Sequence, residues 1–352
     1  MINNERESMT MTVGEKPLWT YPYSIYGMRM RYVTGSPALV APVSELLKHF
    51  RRDTIEESAE LTVCFRDVQD RTEIPLRLSS SARRLSAGTG RAVGDRRETG
   101  LPYEMIQDER RWIADFRDVG VLVMDGSHGR ADGYLIKPET LHPNLIEYLF
   151  HLASTELFRY RGLYTIHAAA LEKHGRGILI SGNSGRGKTT SSLSLLRSGY
   201  RYLSDDQPLI QDAGTHVDVL PFPTKINVTQ ATIELFPELA NVPDHVPHPG
   251  SRKWSFQAED LYPTSIGERC RPAMVLFPHV VDAHHSHLEL LSKRRALELL
   301  LPQALLVFDP EVAGREFQVL AKLARQVDCY RLHFGRDIFD LPNLLTPLLE
   351  QG

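Results

Sequence analysis

The sequence predicts a mixed α/β fold, α+β overall, in which a β-rich N-terminal domain precedes a domain built around a phosphate-binding loop. In the first third of the chain, apolar residues come in short runs that alternate with polar ones, as in half-buried strands. Near the middle, a glycine-rich segment follows an apolar run and precedes a segment with helical spacing. At 352 residues, the chain is long enough for two domains.

Composition limits the classes of partner. The 42% hydrophobic and 24% charged residues are typical of a soluble globular protein, and no run of 18 apolar residues is present to span a membrane. The 41 basic and 44 acidic residues give a net charge of −3, which favours neither nucleic acid nor a membrane surface as partner. Cys64, Cys270 and Cys329 are odd in number and far apart, as expected of reduced thiols. We therefore expect a cytoplasmic protein with no nucleic-acid or membrane partner.

The N-terminal part divides into a leader and a first domain. Residues 1–20 are predicted to be a flexible polar leader, because they lack the basic start and apolar stretch of a secretory signal. Residues 21–135 are predicted to form the β-rich domain, with a role in substrate recognition. Within it, residues 79–100 are rich in Ser, Gly and Arg and are predicted to be a mobile surface loop.

Residues 136–352 are predicted to form the second domain. It opens with a helix in which Leu145, Ile146, Leu149 and Phe150 recur at helical spacing. The order strand, glycine-rich loop, helix, strand then follows, and later apolar runs such as PAMVLFPHVV and SHLELLS indicate further strands. The predicted bounds are 143–161 for the opening helix, 163–171 and 177–181 for two strands, 188–197 for the next helix and 200–204 for the strand after it.

The glycine-rich segment GNSGRGKT matches G-x-x-x-x-G-K-[ST] in the strand-to-helix context that this pattern requires. Glycines allow the backbone to curl so that successive N–H groups and the start of the helix face phosphate oxygens. In such a loop Lys188 neutralises charge on the β and γ phosphates, and the Thr189 hydroxyl ligates Mg²⁺. ATP and Mg²⁺ are the predicted cofactors. The predicted nucleotide-binding residues are Gly182, Asn183, Ser184, Gly185, Arg186, Gly187, Lys188, Thr189 and Thr190.

Two acidic residues and a histidine flank this loop in the sequence. Asp205 and Asp206 end the strand that follows the helix, which would return them to the phosphate loop, where a divalent cation would relieve their repulsion. The alternative is a polar Asp-Asp-Gln-Pro turn. His167 lies on the strand before the loop, and its position alone favours a packed strand histidine over a catalytic one.

The stretch TIHAAALEKHGRGILISGNSGRGKTTSSLSLLRSGYRYLSDD resembles the core of the HPr kinase/phosphorylase family. More closely, it is similar to the HPr-kinase-related proteins encoded with peptide natural-product pathways, including lasso-peptide precursor kinases. The resemblance implies a P-loop kinase domain of the phosphoenolpyruvate-carboxykinase-like type, ATP-dependent phosphoryl transfer, and a homo-oligomer.

The resemblance also implies roles for individual residues. Asp205 would be the general base, held in position by His167, while Asp206 and Thr189 organise the metal; the alternative is the reverse assignment of the two aspartates. Lys225, Arg252 and Lys253 are candidates for stabilising the transferring phosphoryl group or the substrate, with ordinary surface cations as the alternative. The predicted catalytic set is Asp205, His167, Asp206 and Lys188, and the predicted metal ligands are Thr189 and Asp206.

One departure from the family bears on the acceptor. The Arg-Gly-x-Gly segment that follows the aspartates in HPr kinases is missing, and Pro-Phe-Pro-Thr-Lys stands in its approximate place. This disfavours HPr itself and the phosphorolysis reaction. The expected acceptor is a Ser or Thr hydroxyl of another peptide or small protein; the alternatives are a small-molecule hydroxyl, or an ATP-binding accessory protein with no dedicated acceptor.

A histidine-rich segment, PHVVDAHHSH at residues 278–287, is left unexplained by this assignment. His285 and His287 would share one face of an extended segment and are possible metal ligands. The alternative, which we favour, is the tip of a hairpin between two strands.

Overall fold

A computed structural model of the chain describes residues 8–10, 18–53, 58–89, 101–183, 185–242, 246–247, 253–304 and 309–350. The described residues up to Arg161 form one compact unit and those from Gly162 onward form another. Both units contain strands and helices, so the predicted mixed α/β class is confirmed. No helix in these described ranges is both long enough and apolar enough to cross a membrane.

The first unit is a sheet with two helices. The strands lie in the order β1-β2-β3-β4-β9-β8-β7-β6-β5, and only the β3–β4 and β4–β9 pairs are parallel. The elements are β1 (Ser8–Thr10), β2 (Leu18–Ile25), β3 (Met28–Thr34), α1 (Pro37–Leu46), β4 (Leu61–Val68), β5 (Arg83–Thr89), β6 (Pro102–Asp108), β7 (Arg111–Asp115), β8 (Gly120–Asp125), β9 (Arg130–Ile136) and α2 (Pro143–Arg159).

Helix α2 lies in the first unit, not at the start of the second as predicted. It contacts α1, β4, β8 and β9, and its buried apolar residues include Ile146, Leu149 and Phe150. The Phe150 ring packs edge-on against Tyr32 and Phe65 of the sheet. The boundary between the units therefore falls after Arg161 rather than after residue 135, because the apolar face of this helix covers the N-terminal sheet.

Two further predictions for the first unit need correction. Part of the segment predicted as a mobile loop, Arg83–Thr89, is strand β5, which pairs with β6; residues 90–100 lie outside the described ranges. Ser8–Thr10, in the predicted leader, pairs with Leu18–Thr20 as strand β1, while most of residues 1–17 also lie outside those ranges. Helix α1 was not predicted.

The second unit has one large and two small sheets. Its elements are β10 (Leu163–Thr165), β11 (Ala168–Lys173), β12 (Arg176–Ser181), α3 (Lys188–Arg197), β13 (Arg201–Ser204), β14 (Leu209–Asp212), β15 (Val217–Leu220), β16 (Ile226–Thr229), α4 (Gln230–Leu235), β17 (Val246–Pro247), β18 (Lys253–Phe256), α5 (Ala258–Leu261), β19 (Arg271–Val280), β20 (His287–Leu290), α6 (Lys293–Ala304), α7 (Pro310–Gln326), β21 (Asp328–Phe334) and α8 (Leu341–Glu350).

The large sheet of the second unit has the order β13-β11-β12-β19-β21-β20. Strands β12, β19 and β21 are parallel, so their carboxyl ends meet at one edge of the sheet. Strand β11 is antiparallel to β12, and its amino-terminal end therefore lies at the same edge. Leu193 and Leu196 of α3 pack with Ile178, Ile180 and other sheet residues in one buried cluster, which fixes the helix against the strands.

Two small sheets complete this unit. Strands β10, β14 and β15 form one, and β16, β18 and β17 form the other, in which Asn227 pairs with Ser255 and Thr229 pairs with Lys253. The predicted strand over 163–171 is thus interrupted: β10 and β11 belong to different sheets, and Ile166 and His167 lie between them. The predicted helix over 188–197 is confirmed at both ends.

Candidate active site

The phosphate loop joins the carboxyl end of β12 to α3. Gly185 and Gly187 have φ values of +77° and +95°, where L side chains are strained. A Cβ atom at Gly187 would also lie 3.0 Å from the ring of Phe334 on β21. The sequence therefore needs glycine at Gly187 for backbone conformation and for space. The loop turns sharply enough for α3 to begin at Lys188 with its N-terminus facing the loop.

Lys188 points back across this loop. Its Nζ donates to the carbonyl oxygen of Gly182 at 2.7 Å and lies 3.2 Å from Nε2 of His167. The residue is 9% exposed, so its ammonium group is largely sheltered from solvent. A cation held at the mouth of a curled backbone segment is placed to meet phosphate oxygens.

His167 links Lys188 to the aspartate pair. Its Nδ1 lies 2.7 Å from Oδ1 of Asp206, and its backbone N–H donates to the carbonyl oxygen of Gln303 at 2.8 Å. Because Lys188 is a donor only, Nε2 of His167 accepts from it and Nδ1 carries the proton given to Asp206. The imidazole therefore orients Asp206, whereas the sequence had predicted Asp205 as its partner.

Asp205 is buried at the end of β13, and one of its oxygens is unpaired. Oδ2 accepts a hydrogen bond from the backbone N–H of Asn227 at 3.3 Å. Oδ1 is buried and has no hydrogen-bond partner among the residues that the structure describes. Burial, and then the charge of Asp206, raise the pKa of the Asp205 carboxyl to about 6, against the opposing effects of the Asn227 hydrogen bond and of the charges of Lys188 and Lys253. An unpaired buried oxygen of this kind indicates a position for a ligand atom.

Asn227 positions Asp205, and sequence reasoning missed it. Ser255 on β18 donates to Oδ1 of Asn227 at 2.7 Å, and Asn227 Nδ2 donates to the carbonyl oxygen of Lys225 at 3.2 Å. These bonds fix the backbone of β16 where its N–H meets Asp205. The only sequence signal was the alternating run INVT, which predicts a strand but not its neighbour.

The other predicted residues that the structure describes lie in the loop, in α3 and at the β16–β18 pair. Nε2 of Gln303 donates to Oδ1 of Asn183 at 3.3 Å, and Arg186 donates to Nδ1 of His279 at 3.3 Å. Thr189 and Thr190 are half-buried in the first turn of α3. Lys225 and Lys253 are half-buried at opposite ends of the β16–β18 pair, while Ser184 and Arg252 lie outside the described residues.

The donor set suits a hard divalent cation. Among the described residues, no group of three or more His, Cys, Asp or Glu side chains is arranged to hold a metal without help. Mg²⁺ does not require such a group, since it is commonly held by one or two carboxylates, water and substrate phosphates. Asp206 supplies carboxylate oxygens and Thr189 supplies a hydroxyl, as predicted, while the unpaired Oδ1 of Asp205 is left for another ligand atom. The residues present therefore fit Mg²⁺ bound together with a nucleotide.

Comparisons with known proteins found similarity to one protein family and to several HPr kinase/phosphorylases. The family model of the SynChlorMet cassette protein ScmC matches residues 144–240. An HPr kinase/phosphorylase of Xanthomonas campestris is 37% identical over 73 residues, 21% of this chain and 22% of that protein. One from Pediococcus pentosaceus is 41% identical over 59 residues, 16% of this chain and 19% of that protein. About a fifth of the chain is thus similar to HPr kinase/phosphorylases.

The similarity to HPr kinase/phosphorylases covers only a short part of each chain. The chain spans about a fifth of the length of the curated relatives that it matches. The structure of an Hpr(Ser) kinase/phosphatase from Coxiella burnetii matches with a TM-score of 0.30 and 13% identity, covering 53% of this chain and 88% of that one. The predicted resemblance to HPr kinase/phosphorylases is confirmed over the short alignments with these curated relatives.

The contacts of His167 predict the effect of removing it. His167→Ala is expected to lower the specific phosphoryl-transfer rate at least about tenfold, because Asp206 and Lys188 lose the imidazole that links them. Specific activity per folded protein, with folding followed by circular dichroism, measures this. His174→Asn, at an exposed turn with φ of +54°, is the matched control. Normal specific activity in the folded fraction of His167→Ala would show a purely structural histidine.

Proposed function

We propose that the protein is an ATP-dependent kinase that transfers the γ-phosphoryl group to a Ser or Thr hydroxyl of a peptide or small protein, such as a ribosomal natural-product precursor. The unpaired, buried Oδ1 of Asp205 beside the phosphate loop carries this proposal. A carboxyl whose pKa is raised to about 6 is ionised at neutral pH yet accepts a proton more readily than an ordinary aspartate. That is the property required of a base for an alcohol acceptor.

The chain's own residues have distinct parts in the transfer. The loop N–H groups and Lys188 hold the β and γ phosphates, and bound Mg²⁺ would neutralise part of their charge. Oδ1 of Asp205 orients the acceptor hydroxyl and takes its proton as the new O–P bond forms and the bond to the leaving diphosphate breaks. The Asn227 N–H fixes the other oxygen of that carboxylate. His167 contacts both Asp206 and Lys188 and so holds the two side chains in position relative to each other.

Two other functions use the same centre. A kinase for a small-molecule hydroxyl needs the same base and loop, since the transfer centre does not report the size of the acceptor. An accessory protein that binds ATP and hydrolyses it slowly needs the loop but no base for an alcohol. The buried Asp205 favours a kinase over the accessory protein, and the likeness to HPr kinase/phosphorylases supports a peptide or protein acceptor.

Incubation with γ-labelled ATP and Mg²⁺ distinguishes these functions. The substrates are precursor peptides encoded beside the gene, with and without their Ser and Thr residues, and a panel of small alcohols. Label on a hydroxyl-bearing peptide supports the proposal, and loss of that label when Ser and Thr become Ala identifies the acceptor. Transfer only to a small alcohol, or release of phosphate alone, supports one of the two alternatives.

The raised pKa of Asp205 predicts a pH profile. Because the protonated carboxyl cannot accept a proton, kcat/KM should fall about tenfold per pH unit below a pKa near 6 and level off above it. Initial rates from pH 5 to 8, with nucleotide affinity measured separately at each pH, test this. A rate that is constant between pH 5 and 7 while affinity is unchanged would contradict the role of Asp205 as base.

A further inference from the structure

Three histidines form a row across adjacent strands of the large sheet. His279 on β19 pairs with His333 on β21, and His333 pairs with His287 on β20. The rings of His287 and His333 are stacked, with centroids 4.4 Å apart and planes 3° apart, and the ring of His279 meets that of His333 edge-on at 6.2 Å. The strand β21 separates β19 from β20, so the favoured hairpin interpretation of residues 278–287 is wrong.

This histidine row (His279, His333 and His287) begins beside the phosphate loop. Strand β19 is the parallel neighbour of β12, and His279 lies at the carboxyl-end edge where the loop leaves β12. Arg186 of the loop donates to Nδ1 of His279 at 3.3 Å. Two more strands continue the row away from the loop, each about 4.8 Å further on.

The catalytic residues lie on the opposite side of the same loop. In the strand order β13-β11-β12-β19-β21-β20, Asp205 follows β13 and His167 precedes β11, whereas the histidine row occupies the last three strands. The loop, which follows β12, therefore lies between the base and the row. A nucleotide bound across the loop therefore has one end near Asp205 and the other end near the histidine row.

The geometry of phosphoryl transfer decides which end lies where. The attacking and leaving oxygens are roughly in line through the transferred phosphorus. With Asp205 orienting the attacking hydroxyl on the β13 side, the leaving diphosphate and its nucleoside extend toward β19 and β21. We propose that the histidine row binds the nucleoside end of the nucleotide. This inference rests on the proposed kinase function.

The chemistry of the row suits a nucleoside. The face of His287 that is turned away from His333 lies on the edge strand β20 and can stack on a base, and imidazole N–H groups can hydrogen-bond to it. Glu289, which accepts from Nε2 of His333 at 3.0 Å, adds a carboxylate that can accept from a ribose hydroxyl. His287 and Glu289 are exposed, and His279 and His333 are half-buried, so a ligand can reach the row.

A metal fits the row less well than a base does. Nε2 of His333 is engaged with Glu289, and the parallel rings of His287 and His333 do not direct their nitrogen atoms to a common point. Consistent with this, the described residues contain no group of three metal-ligating side chains in a suitable arrangement.

Binding of ATP and of inorganic tripolyphosphate, each with Mg²⁺, tests the inference by calorimetry. His287→Ala removes the ring that stacks on the base, and His333→Ala removes the ring that supports His287. Each is expected to weaken ATP binding about tenfold, the effect of losing a stacked aromatic partner or its support, and to leave tripolyphosphate binding unchanged. In turnover, KM for ATP should rise while kcat stays constant, as for an interaction made equally in the ground and transition states. His284→Ala, an exposed histidine outside the row, should change neither ligand's affinity.

The outcomes separate this inference from the function on which it rests. If the unaltered protein binds ATP but both row variants keep its affinity and KM, the histidine row does not hold the nucleoside. Equal weakening for ATP and tripolyphosphate would also overturn the inference, since it would indicate damage to the phosphate loop. If the unaltered protein binds no ATP at all, the proposed function fails and the inference fails with it.

Discussion

Lys188→Ala is expected to lower ATP-dependent phosphoryl transfer by about two to three orders of magnitude, the usual effect of removing a charge aimed at the transferring group. The side chain lies across the loop at Gly182 and within reach of His167. A phosphate bound in the loop would therefore meet this ammonium group, which also lies beside His167. Affinity for ATP should fall as well, because the same charge contacts phosphates in the ground state.

The matched control for Lys188→Ala is Arg197→Ala, which removes a half-exposed cation from the other end of α3. Both variants should unfold cooperatively, and only the first should lose transfer. Single-turnover rates with saturating ATP separate a defect in binding from one in chemistry. If Lys188→Ala transferred phosphate at the unaltered rate, the phosphate-loop assignment would be wrong.

The sequence was most informative where structure is determined locally. Helix α3 begins and ends at the predicted residues because a glycine loop precedes it and Gly199 follows it. Strands β12 and β13, which precede and follow α3 in the chain, were also predicted within a few residues, since their apolar runs are short and bounded by turns. Motif and spacing also predicted that Lys188 begins α3 and that Asp205 follows β13, as the structure has them, while their roles stay predictions.

Features that depend on distant neighbours were missed. Helix α1 contains Pro42 in its interior, and this breaks the helical signal that Leu39, Val43 and Leu46 would otherwise give. The helical spacing of α2 was recognised, but periodicity does not say which sheet a helix covers. The histidine row is likewise invisible in the sequence, where His279 and His333 are 54 residues apart.

The pairing of His167 shows the same limit at the site. The spacing in the sequence predicted that His167 and both aspartates lie at one edge of the sheet. It did not predict which aspartate pairs with His167. The choice depends on burial and on Asn227, which comes from another sheet. The structure places the imidazole against Asp206, and one oxygen of Asp205 has no partner within the part of the chain that the structure describes.

Asp205→Asn is expected to reduce transfer by about two orders of magnitude or more while ATP binding is retained. The amide keeps the shape of the carboxylate and can still accept from the Asn227 N–H, but it cannot take a proton. Measurements of the transfer rate and of the ATP affinity on the same preparation test both parts of this prediction. If Asp206→Asn were the only damaging change, the roles of the two aspartates would have to be exchanged.

The same substitution should stabilise the fold at high pH, which separates a functional from a structural aspartate. Folding raises the pKa of Asp205 from 3.8 to about 6, so its stabilising contribution is present below pH 3.8 and is lost as the pH rises through 6. At pH 8 the ionised carboxylate therefore costs on the order of 1–3 kcal/mol, and Asp205→Asn removes that cost. Thermal unfolding should show a higher Tm for Asp205→Asn at pH 8 and a smaller gain at pH 5. Asp206→Asn, which weakens the bond to His167, should show no such gain, and a lower Tm for Asp205→Asn at pH 8 would mean that the fold requires the charge.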